Sequence, residues 1–345
     1  MDLSYGERIS DMAATIKDIR SETGLGLATI SKYLNGGNVR SENRQKIEEA
    51  IKKLDYHPNE TARSLVTKRT RTIGFVVNNI ASNFSGVLLQ HASAYLHGRG
   101  YGMMICDSNL DEEQEAESIR FCVEKQVDGI LLIPVSKDPS SLGSAEKSGI
   151  PVVLLDRELD SDDFDCVIID NSNAAERAVD YLIKCGHRKI SVIYSGEYTG
   201  SERFKGYRRS MEKAGIDVPE KYMFSGRTHS AELGYNSMKE LLKLKLKERP
   251  TAVLSTNYEV SLGVIMALNE SGVKCPEEIS LIGFDELILP MVMKPRLTLV
   301  AQPMEEIASE GARILLQRIE EGRKNPPQKV SLYAALKEGE SVREL

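Results

Sequence analysis

Hydrophobic positions near the start of the chain recur three or four residues apart, which is the spacing of one face of an α-helix. The spacing predicts helices over about 16–23, 27–34 and 41–54. The glycine-containing turn 24–26 separates the first two of them. Three short helices with such a turn between the first pair form the pattern of a helix-turn-helix unit.

From Thr72 onward the pattern changes to short β-rich runs that alternate with amphipathic helices. This alternation predicts parallel, doubly wound sheets, and its length predicts two similar lobes. The predicted strands are 72–78, 102–108, 129–134, 152–156, 166–170, 189–194, 251–256 and 279–285. The predicted helices are 90–99, 112–125, 174–185, 204–214, 230–242 and 260–271.

A polar, basic segment over 56–71 joins the two patterns. Pro58 interrupts the preceding helix, and Asn59 can cap a short helix that carries one apolar side chain, Leu65. Because such a helix has few partners of its own, it is expected to be marginal in isolation.

Net charge divides along the same boundary. The whole chain carries −6, but residues 13–71 have 12 Lys and Arg against 7 Asp and Glu, a net charge of +5. A basic head on an acidic body indicates that the head binds a polyanion and that the body does not. Chance clustering on a solvated helical surface is the alternative explanation of the charge.

The rest of the composition is that of a soluble globular protein. No apolar run approaches the roughly 20 residues of a membrane span, and no signal peptide is recognisable, so we expect a cytoplasmic protein. The 5 cysteines are widely spaced and predict reduced thiols rather than disulfides or a zinc site.

Candidate binding residues come from the rule that functional loops in doubly wound sheets follow the carboxyl ends of the strands. These loops are rich in Asp, Asn, Arg and Ser, with Phe84, His229 and Tyr258 available as stacking surfaces. Such a mixture suits a polyhydroxylated or nucleoside-like small molecule. The loops are 79–85, 107–109, 134–137, 156–157, 170–171, 195–203, 257–258 and 285–286.

No catalytic constellation, phosphate-binding glycine loop or metal motif is recognisable in the sequence. Asp156, Asp170 and Asp285 could form an acid cluster for magnesium, but helix capping and contacts with ligand hydroxyls explain them better. We therefore expect no enzyme, no cofactor, no catalytic residue and no bound metal. A transport receptor is disfavoured by the basic head and the missing signal peptide.

The chain resembles the LacI/GalR family of bacterial transcription regulators. In the head, the residues that carry the resemblance are ATIKDI (14–19), ATISKYLNG (28–36), YHPN (56–59), ARSL (62–65) and RTRTIGF (69–75). In the body they are VDGILLIP (127–134), GIPVVLLDRE (149–158), GHRKISVIYS (186–195), ERFKGYRRSMEKAGI (202–216), RPTAVLSTN (249–257), ISLIGFDE (279–286) and QPMEEIASEGARILL (302–316).

The resemblance implies an α/β protein with a small all-α head. A helix-turn-helix DNA-binding domain would span 13–57 and a hinge helix with its linker 58–71. An effector-binding and dimerisation domain over 72–345 would contain two doubly wound parallel lobes of the periplasmic binding protein type. Lobe one would comprise 72–171 plus 301–331, and lobe two 172–300 plus 332–345. Residues 1–12 fall outside the match and are expected to be a disordered extension or a consequence of start choice.

The resemblance also implies a nucleoid-associated repressor that binds a pseudo-palindromic operator in double-stranded DNA as a homodimer. The second helix would enter the major groove, and Leu65 would wedge into a base step of the minor groove. From the residues alone, a small helical bundle without a nucleic-acid role stays the alternative for the head. The candidate DNA-binding residues are Thr15, Ile16, Leu27, Ala28, Thr29, Ser31, Lys32, Asn35, Tyr56, Asn59, Ala62, Arg63 and Leu65.

In the body, the resemblance implies a small-molecule effector held between the lobes, with Arg203 in the place of the arginine that clamps it. Ser85 and Tyr258 depart from the family pattern, where a second aromatic residue and an aspartate are frequent. These departures leave open a second hypothesis, in which a partner protein, rather than a small molecule, binds the body and controls the regulator. The candidate effector-binding residues are Phe84, Ser85, Asp156, Arg157, Arg203, His229, Asn257, Tyr258 and Asp285.

Overall fold

The computed structural model describes residues 14–34, 36–56, 69–286, 292–322 and 324–345. The chain divides into two units, Met1–Thr70 and Arg71–Leu345. Two predicted elements lie outside the described residues, namely the extension 1–12 and nearly all of the hinge helix. Five candidate DNA contacts also lie outside them: Asn35, Asn59, Ala62, Arg63 and Leu65.

The three predicted helices of the first unit are confirmed as α1 (Ile16–Thr23), α2 (Leu27–Leu34) and α3 (Ser41–Leu54). At the start of α1, the Asp18 carboxylate accepts hydrogen bonds from the backbone N–H of Thr15 at 2.8 Å and from its hydroxyl at 2.7 Å. These two bonds lower the pKa of Asp18.

Glycine ends α1, and the turn that follows sets the angle between the first two helices. Gly24 has φ +67°, a left-handed conformation that a residue without Cβ adopts without strain, and its N–H donates to Arg20 O at 2.9 Å. The small core beneath the turn is formed by Ile19, Ile30 and Ile47, all fully buried, with Ala50 and Tyr56 beside them.

The second unit contains two sheets. The first has the strand order β11-β5-β4-β3-β1-β2, and all its strands are parallel. Its strands are β1 (Thr72–Val77), β2 (Gly102–Asp107), β3 (Gly129–Leu132), β4 (Val152–Leu155), β5 (Asp165–Ile169) and β11 (Lys329–Leu332). The helices of this lobe are α4 (Asn83–His97), α5 (Glu112–Glu124), α6 (Gly143–Ser148) and α11 (Met304–Glu321).

The second sheet has the order β12-β10-β9-β8-β6-β7, and only β12 runs antiparallel among the described strands. Its strands are β6 (Ile190–Ser195), β7 (Met223–Gly226), β8 (Ala252–Ser255), β9 (Ser280–Phe284), β10 (Thr298–Ala301) and β12 (Ala335–Lys337). Its helices are α7 (Asn171–Lys184), α8 (Tyr198–Lys213), α9 (Ala231–Lys243) and α10 (Tyr258–Glu270).

Short 3₁₀ turns occupy Pro139–Leu142, Glu220–Tyr222 and Leu246–Glu248.

The predicted fold class, an all-α head followed by two parallel α/β lobes, is confirmed. The chain crosses between the two sheets after β5, after β10 and after β11, so each lobe is built from separate stretches of sequence. Helix α11 returns to the first lobe, where it packs on α4 and β4. None of the helices in the described ranges is long and apolar enough to cross a membrane.

Candidate functional site

A cavity of about 110 Å³ lies between the two lobes. Cavities need about 10–15 Å³ of such space for each water molecule, so this one has room for a compact polar ligand. Every lining residue follows the carboxyl end of a strand, as the rule for doubly wound sheets requires. The first lobe contributes Asn78, Asn79, Ala81, Ser82, Phe84, Leu110, Asp156 and Arg157. The second contributes Glu197, Thr199, Arg203, His229, Asn257, Glu259, Asp285 and Gln302.

An ion pair across the cleft joins the two lobes. Arg157 Nη2, on the first lobe, donates to Glu197 Oε2, on the second lobe, at 2.5 Å. Burial works to raise the pKa of Glu197, but the charge and hydrogen bond of Arg157, together with the contacts of His229, outweigh it and hold that pKa below its ordinary value. Glu197 is therefore ionised at neutral pH, and the pair is charge-assisted.

Arg203 is held rigidly on α8 with 2 % exposure. Its Nε donates to Asn171 Oδ1 at 2.8 Å and its Nη1 to the carbonyl oxygen of Thr256 at 2.5 Å. The guanidinium lies 4.3 Å from the centroid of the Phe284 ring. These contacts fix the orientation of a cation at the cavity wall.

Asp156 and Asp285 end equivalent strands in the two lobes and share an unusual backbone conformation. Their φ values are +66° and +71°, and each donates its N–H to a neighbouring strand, to Val167 O and Val300 O, both at 2.9 Å. Burial raises the pKa of Asp156 to about 6, although Arg157 and Arg203 oppose the change. Strained backbone of this kind concentrates at functional sites.

His229 forms part of the wall on the second lobe. Its Nε2 lies 3.1 Å from Ser195 Oγ and 3.3 Å from Thr199 Oγ1, and its backbone N–H donates to Glu197 Oε1 at 3.2 Å. The residue as a whole is half-buried, but Nδ1 is shut off from solvent. Burial lowers the pKa of His229 to about 3, so the ring is neutral at physiological pH.

Three polar side chains complete the second-lobe wall. Asn257 caps α10 by accepting from Val260 N at 2.9 Å, and its Nδ2 donates to Glu259 Oε2 at 2.5 Å. Gln302 Nε2 donates to Asp285 Oδ1 at 2.5 Å. One oxygen of Glu259 and one of Gln302 remain buried without a hydrogen-bond partner in the described part of the chain.

The cavity brings together seven of the nine candidate effector residues, which are Phe84, Asp156, Arg157, Arg203, His229, Asn257 and Asp285. Within the described ranges, Ser85 and Tyr258 are not in its lining. Ser85 is fully buried inside α4, and Tyr258 is the half-buried first residue of α10. Their assignment as ligand contacts stays a prediction.

Sequence reasoning missed several lining residues as individual candidates. Glu197 and Thr199 lie in the loop 195–203, which the strand-end rule had selected. Glu259 is the second residue of α10, and acids are ordinary in the first turn of a helix. Gln302 follows β10, which was not among the predicted strands, so the rule for strand ends did not select it.

In the head, the surface of α2 agrees with the candidate DNA contacts. Leu27, Ala28 and Lys32 are exposed, and Thr29 and Ser31 are partly exposed. A Cβ on Gly37 would lie 2.6 Å from Lys32 Cγ, so this glycine lets the chain turn closely past the end of the helix.

The remaining described candidates in the head differ in position. Thr15 is exposed at the start of α1, and Ile16 is partly buried against the core. Tyr56 packs into that core with 9 % exposure. The DNA contacts assigned to all three stay predictions.

In the described part of the chain, no three His, Cys, Asp or Glu side chains come together as a metal site. The five cysteines are free thiols.

The chain matches two known sequence families and several solved structures. Residues 15–59 match the family described as bacterial regulatory proteins, lacI family, and residues 179–342 match a periplasmic binding protein-like domain. The HTH-type transcriptional regulator RegA of Clostridium acetobutylicum is 35% identical over 315 residues, covering 89% of this chain and 93% of RegA.

Two solved structures are similar over nearly the whole chain. The complex of the transcriptional regulator CelR with cellobiose has a TM-score of 0.71 at 27% identity, covering 95% of this chain and 99% of CelR. The lac repressor dimer bound to operator and the anti-inducer ONPF has a TM-score of 0.84, covering 96% of this chain and 99% of its own. At 20% identity, this second likeness establishes the fold alone.

A helix-turn-helix head followed by a two-lobed unit with a polar cavity at its strand ends defines a class of DNA-binding regulators with an effector domain. The chain belongs to the lacI family of bacterial regulatory proteins. It is a DNA-binding transcriptional regulator and not an enzyme.

Proposed function

We propose that this regulator is a repressor that binds a pseudo-palindromic operator as a homodimer, and that a small molecule between its lobes controls operator binding. The observation that carries the proposal is the composition of the cavity, which takes eight lining residues from each lobe. A ligand that contacts both walls binds one arrangement of the lobes better than another. It therefore shifts the equilibrium between them by its difference in affinity.

The lining favours a sugar or a nucleoside-like molecule as the effector. Amide, hydroxyl, carboxylate and guanidinium groups surround the space, and Phe84 offers an aromatic surface. Such side chains hydrogen-bond a polyhydroxylated ligand while the ring contacts its apolar face. The solved complex of the relative CelR holds cellobiose, a ligand of this kind.

Exposed apolar side chains on both lobes support the dimer. Ile105 lies on the edge strand β2 and Phe121 on α5 in the first lobe, and Met266 lies on α10 in the second. A second copy of the chain would remove such large apolar side chains from water. A second copy that contacts both lobes would cover them and would respond to lobe rotation. The lac repressor, which shares the fold, is a dimer on its operator.

The head supports operator binding through the major groove. The small and polar side chains Ala28, Thr29 and Ser31 suit base edges, and exposed Lys32 suits guanine or a phosphate. Two heads related by a two-fold axis would bind two half-sites that run in opposite directions. The operator would therefore be a pseudo-palindrome. Such a regulator acts in the cytoplasm, on the nucleoid.

The test is fluorescence anisotropy of the full-length protein on labelled genomic fragments, between 50 and 200 mM salt as suits a charge-dependent interaction. We expect selective binding to a few fragments, and a change of affinity when small-molecule extracts are added. Absence of any sequence-selective binding, with and without extract, would refute the proposal. Selective binding that responds only to the protein fraction of the extract would favour a partner protein as the input.

A further inference from the structure

We infer that the effector carries a protonated amine, as an aminated sugar or polyol does, and that the amine binds at Asp156 and Glu259. This inference rests on the proposed function, since it names the chemical class of ligand for the same cavity. It follows from the balance of charge and of hydrogen-bonding groups in the cavity wall.

Carboxylates outnumber guanidinium groups in the lining. The carboxylates are those of Asp156, Glu197, Glu259 and Asp285, and the guanidinium groups those of Arg157 and Arg203. With His229 neutral, the wall has a formal excess of negative charge. An enclosed site of this sign disfavours phosphorylated or carboxylated ligands and favours a cation.

Both arginines are already engaged by the protein. Arg157 donates to Glu197 at 2.5 Å and to the carbonyl oxygens of Pro134 and Val135 at 3.3 and 3.4 Å. Arg203 donates to Asn171 Oδ1 and to Thr256 O. Much of their donor capacity is therefore used before a ligand binds.

The wall contains buried acceptors without donors. Asp156 Oδ1, Glu259 Oε1 and Gln302 Oε1 are all shut off from solvent and have no hydrogen-bond partner among the described residues. Asp156 and Gln302 are 5 % and 8 % exposed as whole residues, so these oxygens are not surface groups. On the donor side Arg157 Nε also lacks a hydrogen bond, but it lies 3.7 Å from Asp156 Oδ2.

Three unused acceptors call for a ligand group rich in donors. A buried acceptor left unpaired costs about 1–3 kcal/mol, and more when it is charged. A hydroxyl group offers one donor and brings acceptors of its own, whereas an ammonium group offers three donors and no acceptor. A metal ion is a poorer candidate, because the described residues form no cluster of three metal ligands.

The acceptors also lie on opposite walls, which links the amine to the control of DNA binding. Asp156 follows β4 in the first lobe, whereas Glu259 and Gln302 follow β8 and β10 in the second. An ammonium between them forms bonds to both lobes at once and stabilises the closed cleft. The amine then adds to the ion pair of Arg157 and Glu197 that already crosses the cleft.

The test is isothermal titration calorimetry at pH 7.5 with matched probes. The probes are glucosamine, galactosamine, mannosamine and 1-amino-1-deoxysorbitol, each beside its hydroxy parent, with the N-acetyl form of each hexosamine. We expect at least one amine to bind ten-fold or more tightly than its parent and its N-acetyl form. Glu259→Gln should remove that preference. Glu212→Gln, at an exposed position of α8, is the isosteric control and should keep it.

Each other result overturns the inference. It is wrong if no amine binds, or if every parent binds as tightly as its amine, or if Glu259→Gln leaves the preference intact. Operator anisotropy separates this failure from failure of the proposed function. A neutral sugar that binds at least as tightly as its amine and changes operator affinity contradicts the inferred amine and leaves the proposed function standing. Operator binding that responds to no probe and no metabolite extract contradicts both.

Discussion

Arg157 and Glu197 lie on different lobes and form a buried ion pair of 2.5 Å across the ligand cavity. Their side chains are 5 % and 12 % exposed, so solvent screens the pair weakly. Both residues also line the cavity, so a ligand held there would lie beside the contact that joins the lobes. Under the proposed function, this pair of side chains would couple ligand binding to the position of the lobes.

Arg157→Gln should destabilise the protein at neutral pH by about 3–5 kcal/mol, because it leaves the Glu197 carboxylate buried and unpaired. The double variant with Glu197→Gln should recover part of that loss. Urea unfolding of the four proteins in this cycle gives the coupling free energy. As a control, Lys221→Gln breaks an exposed pair with Glu248 and should cost no more than about 1 kcal/mol. Equal losses of stability in Arg157→Gln and Lys221→Gln would contradict a functional contact between the lobes. Strictly additive losses of stability in the cycle of Arg157 and Glu197 variants would contradict it as well.

Asp156→Asn should remove a pH dependence of stability. Because the folded protein raises the pKa of Asp156 from 3.8 to about 6, it holds this proton more tightly than the unfolded chain does. Stability therefore falls as pH rises through this window and stays lower above it, by roughly 3 kcal/mol for such a change in pKa. The stability of the wild type relative to Asp156→Asn should decrease between pH 4 and 7 and then level off.

The measurement is urea unfolding at several pH values for both proteins. Asp170→Asn, at the exposed N-cap of α7, controls for the general effect of this substitution. A flat difference curve between the wild type and Asp156→Asn would show that the Asp156 carboxyl does not titrate differently in the folded protein.

Periodicity predicted most elements of the fold because it reports burial directly. Ile30 of α2 and the β1 strand are fully buried or nearly so, and each lies where its apolar spacing placed it. Four helix starts, those of α4, α7, α8 and α10, were predicted late, since first turns are polar. Helix α4 begins at Asn83, seven residues before the predicted start at Gln90, because Asn83, Ser85 and Gly86 hide the apolar spacing.

Strands at the sheet edges and residues from the returning segment were harder to predict. β7 is a half-buried edge strand, and its sequence MFSG has no strong apolar run. The same difficulty affected the site. Residues directly after recognised strands, such as Asp156 and Asp285, were found. Glu197 was not singled out within the predicted loop 195–203, because its partner Arg157 is brought to it by the tertiary fold. Gln302 was missed because the preceding strand, β10, was not predicted.

Leu65→Ala should weaken specific operator binding far more than non-specific binding. The resemblance places Leu65 as a wedge in the minor groove, and its removal leaves the phosphate contacts in place. Anisotropy on the selected operator fragment and on a random duplex of equal length measures both. Equal losses on the two DNAs would contradict a wedge at this position.

Lys32→Ala should reduce operator affinity by ten-fold or more, since a lysine at the exposed end of α2 meets either a base edge or a phosphate. The dependence of affinity on salt separates the two roles. Loss of a phosphate contact lowers the slope of log K against log salt by about one and affects all sequences alike. Lys46→Ala, in an exposed ion pair on α3, is the control. If Lys32→Ala binds operator as tightly as the wild type does, the prediction that this end of α2 contacts DNA is wrong.

The most direct test of ligand control is the effect of Arg203 variants on the operator response. Titration of operator with protein, in the presence and absence of a metabolite extract, is compared for the wild type, Arg203→Lys, Arg203→Ala and the control Arg209→Ala. Arg209 lies on the same helix, but its partly exposed side chain pairs with Glu176, and neither residue lines the cavity. Urea unfolding identifies any variant that is simply destabilised. If the cavity is the control site, both Arg203 variants bind operator with little change but lose the response, and Arg209→Ala keeps it. A full response in folded Arg203→Ala would contradict control through this cavity.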